Sequence, residues 1–195
     1  MIALIDYGAG NTASVANVLV ELNCEFKITN SESDICQSDK IIFPGVGEAS
    51  FAMRRLHMSN LINLLRIVKK PLLGICLGMQ LLSQKSKEGN VCGIGIFPYE
   101  TEKFDESNIK VPHMGWNQIK LVKSSKLFEG IKENEYFYFA HSYFVPVNEH
   151  TTAVSSYDVE FCAAMENENI YGVQFHPEKS GHAGIQLIKN FIEKC

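Results

Sequence analysis

The chain has 195 residues, of which 46% are hydrophobic and 21% are charged, and its formal net charge at pH 7 is −4. This length and composition predict one globular domain, residues 1–195, with a substantial buried core. The slightly acidic balance gives no electrostatic footprint for nucleic acid. Because no apolar run approaches the roughly 18 residues of a membrane span, we also expect no membrane insertion.

The cysteines and histidines argue against a metal site. Six cysteines lie at positions 24, 36, 76, 92, 162 and 195, and none of them forms a C-x-x-C pair. Their spacings match no zinc or disulfide framework, and the histidines form no H-E-x-x-H motif. The first residues also lack the basic n-region of a signal peptide. We therefore expect a cytoplasmic protein with reduced thiols, no metal and no cofactor.

The first half of the chain alternates apolar runs with stretches of helical spacing. Strands are predicted at residues 2–5, 24–28, 40–43 and 72–75, and helices at 12–22, 48–68 (broken near Ser59-Asn60) and 77–84, with a polar connection at 31–39. This alternation indicates an α/β fold with parallel strands and right-handed crossovers. Ligands of such sheets bind beyond the carboxyl ends of the strands, where the turns at 6–8 and 44–47 and Cys76 are expected to converge.

The second half has a different texture, with short strands separated by turns. Strands are predicted at residues 97–103, 118–122, 136–139, 153–156, 161–166 and 170–175, and a closing helix at 181–194. Residues 110–117 interrupt this pattern and carry the only tryptophan, Trp116. The glycine-containing turn at 6–11 lacks a G-x-G-x-x-G motif, so it predicts a tight turn rather than a dinucleotide site.

The segment around Cys76 has the pattern of a nucleophile elbow with sulfur in place of the serine oxygen. Gly74 and Gly78 bracket the cysteine at the point where a predicted strand turns into a helix. Small residues fit there because the turn is crowded, and the helix N-terminus favours a thiolate. Such a position lowers the pKa of a cysteine from about 8.5 to roughly 3.5–7.5. The alternative is a buried structural cysteine that behaves as a small hydrophobe.

A second turn, Pro44-Gly45-Val46-Gly47, follows the strand at residues 40–43. Its two glycines let the backbone approach closely and expose its N–H groups, which would bind an oxyanion if the turn lies beside Cys76. A simple β-turn leading into the next helix explains the same residues equally well.

The segment His176-Pro177-Glu178 offers a base and a group to orient it. Proline favours an extended conformation at His176, and in an extended segment Glu178 projects to the same side, with Cα atoms about 6.5 Å apart. Glu178 would then fix the tautomer of His176. The alternative is a strand-terminating turn with a solvated carboxylate. With Cys76, the three residues predict a triad for acyl transfer through a thioester, in a protease, a thioesterase or an amidase.

These motifs resemble, in order and spacing, those of the class I glutamine amidotransferases. The stretches at 6–11, 112–117 and 141–143, together with Lys179, resemble more narrowly the glutaminase subunits of imidazole glycerol phosphate synthase. Phe144 departs mildly from that pattern, in which a second tyrosine often stands. The resemblance covers essentially the whole chain. It implies a flavodoxin-like α/β fold, with a mixed, mostly parallel sheet flanked by helices, in a single glutamine amidotransferase domain.

The resemblance also implies a reaction and a set of site residues. Cys76 would attack the side-chain amide of glutamine, and His176 would protonate the departing ammonia and then activate water, with Glu178 as its partner. The implied oxyanion hole uses backbone N–H groups of Leu77, Val46 and Gly47. The implied glutamine-binding residues are Gly45, Gln80, His141, Ser142 and Tyr143.

A chain of this length has no room for a synthase domain, so the resemblance implies a heterodimer partner, a (β/α)₈-barrel cyclase subunit, in histidine biosynthesis. Asn11, Trp116 and Lys179 are the candidate docking residues, although a partly buried tryptophan is equally expected at position 116. The alternative is a paralogous subunit that supplies ammonia for amidation of a surface-polysaccharide sugar. Further alternatives are a cysteine hydrolase that acts alone and a non-catalytic interaction subunit.

Overall fold

The computed structural model describes residues 1–195, which fold as helices packed around a central sheet, with two smaller sheets beside it. The helices are Thr12–Glu21 (α1), Glu32–Gln37 (α2), Ala49–Met58 (α3), Leu61–Ile67 (α4), Leu77–Leu81 (α5) and Gly181–Lys194 (α6). Short 3₁₀ helices span Glu88–Asn90, Lys126–Phe128 and Pro177–Lys179. The strands are Ile2–Ile5 (β1), Phe26–Thr29 (β2), Lys40–Gly45 (β3), Leu72–Cys76 (β4), Ser83–Ser86 (β5), Val91–Cys92 (β6), Phe97–Lys103 (β7), His113–Gln118 (β8), Lys120–Leu121 (β9), Tyr136–His141 (β10), Tyr143–Phe144 (β11), Thr151–Tyr157 (β12), Val159–Asn167 (β13) and Ile170–Val173 (β14).

The central sheet has eight strands in the order β2-β1-β3-β4-β14-β13-β12-β9. The first five of these strands run parallel, and β13, β12 and β9 add to the edge in antiparallel fashion. The smaller sheets pair β10 with β8 and order β11-β7-β5-β6. The predicted mixed, mostly parallel sheet with flanking helices is therefore confirmed.

The parallel strands β1, β4 and β14 are buried along their whole length because both faces of the sheet are covered. In β1, Ile2 and Leu4 face one hydrophobic core, whereas Ala3 and Ile5 face the other. The first core also contains buried residues of α1 and α6, and the second contains those of α3 and α4. Two covered faces explain why the sequence shows continuous apolar runs rather than alternation.

Several predicted elements agree with the structure. The bounds of β1, β7 and α6 are those expected, and the break in the 48–68 region lies at Asn60, a left-handed residue (φ 56°) that precedes α4. No helix of the chain combines the length and the apolar character that crossing a membrane would require.

Three local predictions are wrong. The polar connection at 31–39 contains α2, which buries only Ile35 and therefore shows no apolar stripe. The helix expected to reach residue 84 ends at Leu81, because the main chain around Gly93 pairs with the Leu81 and Ser83 carbonyls. The interruption at 110–117 includes most of β8, which exists as a strand because β10 pairs with it.

The turns expected to converge do meet at one end of the sheet. Gly45 at the end of β3 lies directly opposite Cys76 at the end of β4. On the other side of β4, Val173 of β14 lies opposite Ile75, so the chain leaving β14 reaches His176 beside the same edge. The order of the strands therefore brings together three motifs that are up to 131 residues apart.

Candidate active site

Cys76 stands on a sharp turn between β4 and α5. Its backbone has φ 52° and ψ −111°, a left-handed conformation that a residue with a side chain adopts only when the surroundings impose it. A Cβ at Gly78 would lie 2.0 Å from the carbonyl oxygen of Phe43, and one at Gly74 would lie 2.9 Å from the nitrogen of Met79. The crowding inferred from the G-x-C-x-G pattern is therefore present on both sides of the cysteine.

His176 and Glu178 form a buried pair. His176 Nδ1 lies 2.8 Å from Glu178 Oε1, and the two side chains are only 3% and 2% exposed. The predicted reason for this pairing is wrong, since Glu178 belongs to the 3₁₀ helix Pro177–Lys179 and not to an extended segment. Proline suits the first position of a helix because it has no N–H to leave unpaired.

The loop that carries His176 is fixed to β10 by two hydrogen bonds, and a third hydrogen bond lies within the loop. The His176 N–H donates to the Tyr138 carbonyl at 2.8 Å. The Ser180 hydroxyl donates to the His176 carbonyl at 2.6 Å and accepts the N–H of Tyr138 at 3.0 Å. The imidazole is therefore held by the backbone on one side and by a carboxylate on the other.

The surroundings of His176 favour its charged form. Burial by itself lowers the pKa of this imidazole, but the Cys76 sulfur and then Glu178 outweigh burial and raise the pKa to about 10. At neutral pH the group is therefore an imidazolium, with its Nδ1–H donated to the Glu178 carboxylate. Such an imidazolium is suited to protonate a leaving group.

Cys76 and His176 line the same cavity, which has a volume of about 250 Å³. Eight further residues of the predicted site also line this cavity: Val46, Gly47, Leu77, Gln80, His141, Ser142, Tyr143 and Lys179.

Four of the predicted residues lie outside the cavity lining, one of which is Glu178, the partner of His176. Gly45 supports the elbow, since a Cβ there would lie 2.5 Å from the nitrogen of Gly78. Asn11 caps α1 by accepting the N–H of Ser14 at 3.3 Å, and Trp116 is 56% exposed on β8.

The candidate oxyanion donors differ in their present partners. The Val46 N–H donates to the Ala9 carbonyl at 3.3 Å, whereas the Leu77 N–H begins α5 and has no acceptor within the helix. Gly47 adopts φ 94°, which a residue with a Cβ would rarely adopt.

Two residues of the site carried no recognisable sequence signal. Glu88 provides the only carboxylate among the residues that line the cavity, and its Oε2 accepts the N–H of Ala49 at 2.9 Å. Burial and the neighbouring Glu48 raise the pKa of Glu88, although the Ala49 bond opposes them. Gln174 is fully buried and donates to the Cys76 sulfur at 3.7 Å. Glu88 has no such signal because it lies in a polar stretch without periodicity. Gln174 has none because it follows an apolar strand.

The site contains the parts that acyl transfer requires. These are a thiol on an elbow, an imidazolium held by a carboxylate, and nearby backbone N–H groups.

The family model for class-I glutamine amidotransferases matches residues 3–195. Among solved structures, the chain resembles a putative GMP synthase component from Thermoplasma acidophilum with a TM-score of 0.75 and 22% identity, covering 98% of this chain and 91% of that one. It also resembles PurLQS from Thermotoga maritima, with a TM-score of 0.69, 17% identity and coverage of 98% and 96%. The chain belongs to the class-I glutamine amidotransferase family.

Curated relatives narrow this assignment within the class. The imidazole glycerol phosphate synthase subunit HisH of Haemophilus influenzae is 46% identical over 193 residues, which cover 99% of this chain and 97% of that protein. The subunit HisH of Bacteroides fragilis is 47% identical over 194 residues, with coverage of 98% of each chain. At this identity and coverage, the chain belongs to the HisH family within this class.

The buried pair generates a prediction about charge. The substitution Glu178→Gln removes a carboxylate that raises the pKa of His176, so that pKa should fall below its value in the unchanged protein. A titration of the His176 imidazole by NMR measures this shift directly. Glu133→Gln, an exposed carboxylate, serves as the control and should leave the titration unchanged. An unaltered pKa in Glu178→Gln would contradict the electrostatic role given to the pair.

Proposed function

We propose that the chain hydrolyses L-glutamine to glutamate and ammonia through a thioester on Cys76, and passes the ammonia to a cyclase that forms imidazole glycerol phosphate in histidine biosynthesis. The observation that carries this proposal is the buried His176–Glu178 pair, whose imidazole lines one cavity with a cysteine on a strained elbow. The identity with HisH relatives supports glutamine as the substrate. We also propose a single domain for residues 1–195, supported by the presence of β1 and β14 in one sheet.

In the proposed reaction, the Cys76 thiolate attacks the carbonyl carbon of the glutamine side chain. The His176 imidazolium donates its proton to the departing amine, the C–N bond breaks, and a γ-glutamyl thioester and ammonia result. The neutral imidazole then takes a proton from water as its oxygen attacks the thioester. The C–S bond breaks, glutamate leaves, and the proton taken from water leaves His176 again as the imidazolium beside the Cys76 thiolate. Glu178 keeps Nδ1 protonated throughout, because it accepts that hydrogen bond at 2.8 Å.

The oxyanion that forms in both steps needs hydrogen-bond donors to stabilise it. We propose the Leu77 N–H together with an N–H of Val46 or Gly47. Loss of one such donor typically costs about 10²–10³ in rate. Val46 is able to contribute only after it releases the Ala9 carbonyl, which it binds at 3.3 Å.

The amino-acid end of glutamine carries one positive and one negative group. We propose that Glu88, the only carboxylate in the cavity lining, accepts the α-ammonium, and that backbone groups of residues 141–143 face the carboxylate. Gln80 donates both amide hydrogens inward, to the Tyr143 carbonyl at 2.7 Å and to Gln174 Oε1 at 2.9 Å. Only its Oε1 therefore remains for a substrate, as an acceptor.

The role of Glu88 leads to a kinetic prediction. The substitution Glu88→Gln keeps the size of the side chain and its bond to Ala49 but removes the charge, so the KM for glutamine should rise roughly tenfold or more with a smaller change in kcat. Steady-state measurements of glutamate release test this prediction. Glu133→Gln is the control, since Glu133 is exposed and does not line the cavity. An unchanged KM in Glu88→Gln would exclude the ammonium-binding role.

The relatives are named as subunits, which supports a partner for this chain. We propose a (β/α)₈-barrel cyclase in a heterodimer, docked at a surface that includes Asn11, Trp116 and Lys179. The Lys179 ammonium lies 5.8 Å from the centre of the Tyr138 ring, and the Trp116 ring meets the same tyrosine edge-on at 6.2 Å. Lys179 also lines the cavity, so ammonia released there would have a short path to a partner at this surface.

The docking proposal predicts a loss of affinity. Trp116 is a large, exposed aromatic side chain, and the substitution Trp116→Ala should weaken cyclase binding by about 2 kcal/mol, or roughly 30-fold in Kd. Isothermal titration with the cyclase subunit measures this change. Met58→Ala, which removes an exposed apolar side chain on α3, should leave Kd within about twofold. Equal effects of the two substitutions would place the docking surface elsewhere.

The alternative in which the ammonia serves a surface-polysaccharide sugar is not favoured, since the HisH relatives carry the name of imidazole glycerol phosphate synthase. We further propose a cytoplasmic location, which the six unpaired cysteines support and which cell fractionation tests.

The central experiment combines the chain with glutamine and a cyclase subunit. We expect glutamate release and ammonia-dependent product with the unchanged chain, and neither with Cys76→Ala. Adding free ammonium to the Cys76→Ala complex should restore product, because the cyclase site is intact. Glutamine-dependent product from the alanine variant would overturn the mechanism. Cleavage of esters or peptides without the partner would favour the stand-alone hydrolase. A chain that binds the cyclase but shows no activity would favour the non-catalytic subunit.

A further inference from the structure

A path of buried polar side chains, joined in the middle by the backbone carbonyl of Tyr143, runs from β8 to the sulfur of Cys76. We propose that His113, which does not line the cavity, is a positioning residue that acts on Cys76 through His141, Gln80 and Gln174. His113 and His141 are 4% and 5% exposed, and Gln80 and Gln174 are 4% and 0% exposed. Because such groups are costly to bury without partners, their hydrogen bonds define where each of them points.

The first half of the path has a fixed direction. Asn117 Oδ1 accepts the N–H of Gln118 at 2.8 Å, which leaves Nδ2 to donate to His113 Nε2 at 3.3 Å. His113 Nε2 is therefore an acceptor, and its Nδ1–H donates to His141 Nε2 at 3.0 Å. His141 in turn has its proton on Nδ1, which donates to the Tyr143 carbonyl at 2.8 Å.

The second half of the path reaches the nucleophile. The Tyr143 carbonyl also accepts an amide hydrogen of Gln80, at 2.7 Å, so two donors converge on this one oxygen. The other amide hydrogen of Gln80 goes to Gln174 Oε1 at 2.9 Å, which turns Gln174 Nε2 toward the Cys76 sulfur at 3.7 Å. A donor at this distance holds the sulfur in place through a hydrogen bond to its lone pair.

The two imidazoles act as neutral, immobile links. Burial lowers the pKa of His113 to about 4 and that of His141 to about 3, so neither takes up a proton near neutral pH. The His113 ring lies stacked between Tyr157 at 4.1 Å and Phe139 at 4.9 Å. Rotation of His113 is therefore blocked, and the orientation of His141 depends on the donor that His113 supplies.

This arrangement has two expected effects on the site. It holds the backbone of residues 141–143, and it holds the amide that faces the sulfur. Removal of the His113 donor should therefore change the reactivity of Cys76 and the binding of substrate together, even though His113 contacts neither. The effect on substrate binding rests on the proposed function, whereas thiol reactivity does not require that glutamine be the substrate.

The experiment uses paired amide substitutions at His113. His113→Asn places an amide donor near the position of Nδ1 and keeps the link to His141, whereas His113→Gln places its amide near Nε2 and breaks that link. Peptide-resolved mass spectrometry follows alkylation of Cys76 by iodoacetamide. We expect a rate within about twofold of the unchanged protein for His113→Asn and roughly fivefold lower for His113→Gln. Tyr157→Phe, which keeps the stacked ring, is the control for packing and should not alter the rate.

A double-mutant cycle separates coupling from general loosening of the fold. Gln174→Met removes the donor to sulfur, and once that donor is gone His113→Gln should have no further effect on alkylation. Additive effects of the two substitutions, or equal rates for His113→Asn and His113→Gln, would overturn the proposal. If alkylation follows the expected pattern but glutamine is not turned over by the complex, the positioning role stands and the proposed function fails.

Discussion

The structure depends on a steric constraint at the end of β4. A residue with a side chain, Cys76, adopts a left-handed conformation there, and it does so because the strand turns directly into α5. The turn is possible only where neighbouring backbones come closer than a Cβ allows. Gly45, Gly74 and Gly78 provide that closeness, with would-be Cβ contacts of 2.5, 2.9 and 2.0 Å to main-chain atoms. The same crowding holds the end of β3, and thus the turn that follows it, against the nucleophile.

The pKa values of the imidazoles around the site depend on their neighbouring groups more than on burial. Three imidazoles, those of His113, His141 and His176, are almost fully buried, yet only His176 has a raised pKa. The difference is that His176 faces a carboxylate and a sulfur, whereas the other two face each other and neutral amide or carbonyl groups. One charged and two neutral imidazoles thus lie within one site, the first suited to moving protons and the others to fixing positions.

Much of the site was accessible from the sequence because its motifs are local. The elbow at Cys76 and the His176-Pro177-Glu178 segment each lie within a few residues. Glycine placement explains the elbow, whereas a 3₁₀ helix and not an extended segment brings Glu178 to His176. No sequence pattern predicts the role of Glu88, because it belongs to a 3₁₀ helix in a polar stretch that lacks hydrophobic periodicity. The roles of His113 and Gln174 depend on side chains 28 to 98 residues away along the chain, so no local pattern predicts them.

By itself, the sequence determined the alternation of strands and helices, the elbow, and the pairing of a histidine with a nearby glutamate, because these follow from hydrophobic period, glycine placement and short-range reach. Only the tertiary structure decided that β14 lies beside β4, that residues 113–118 form a strand, and that a carboxylate from position 88 enters the cavity. These facts rest on pairing and packing between distant segments, whose free energy depends on the assembled fold and leaves no local pattern in the chain.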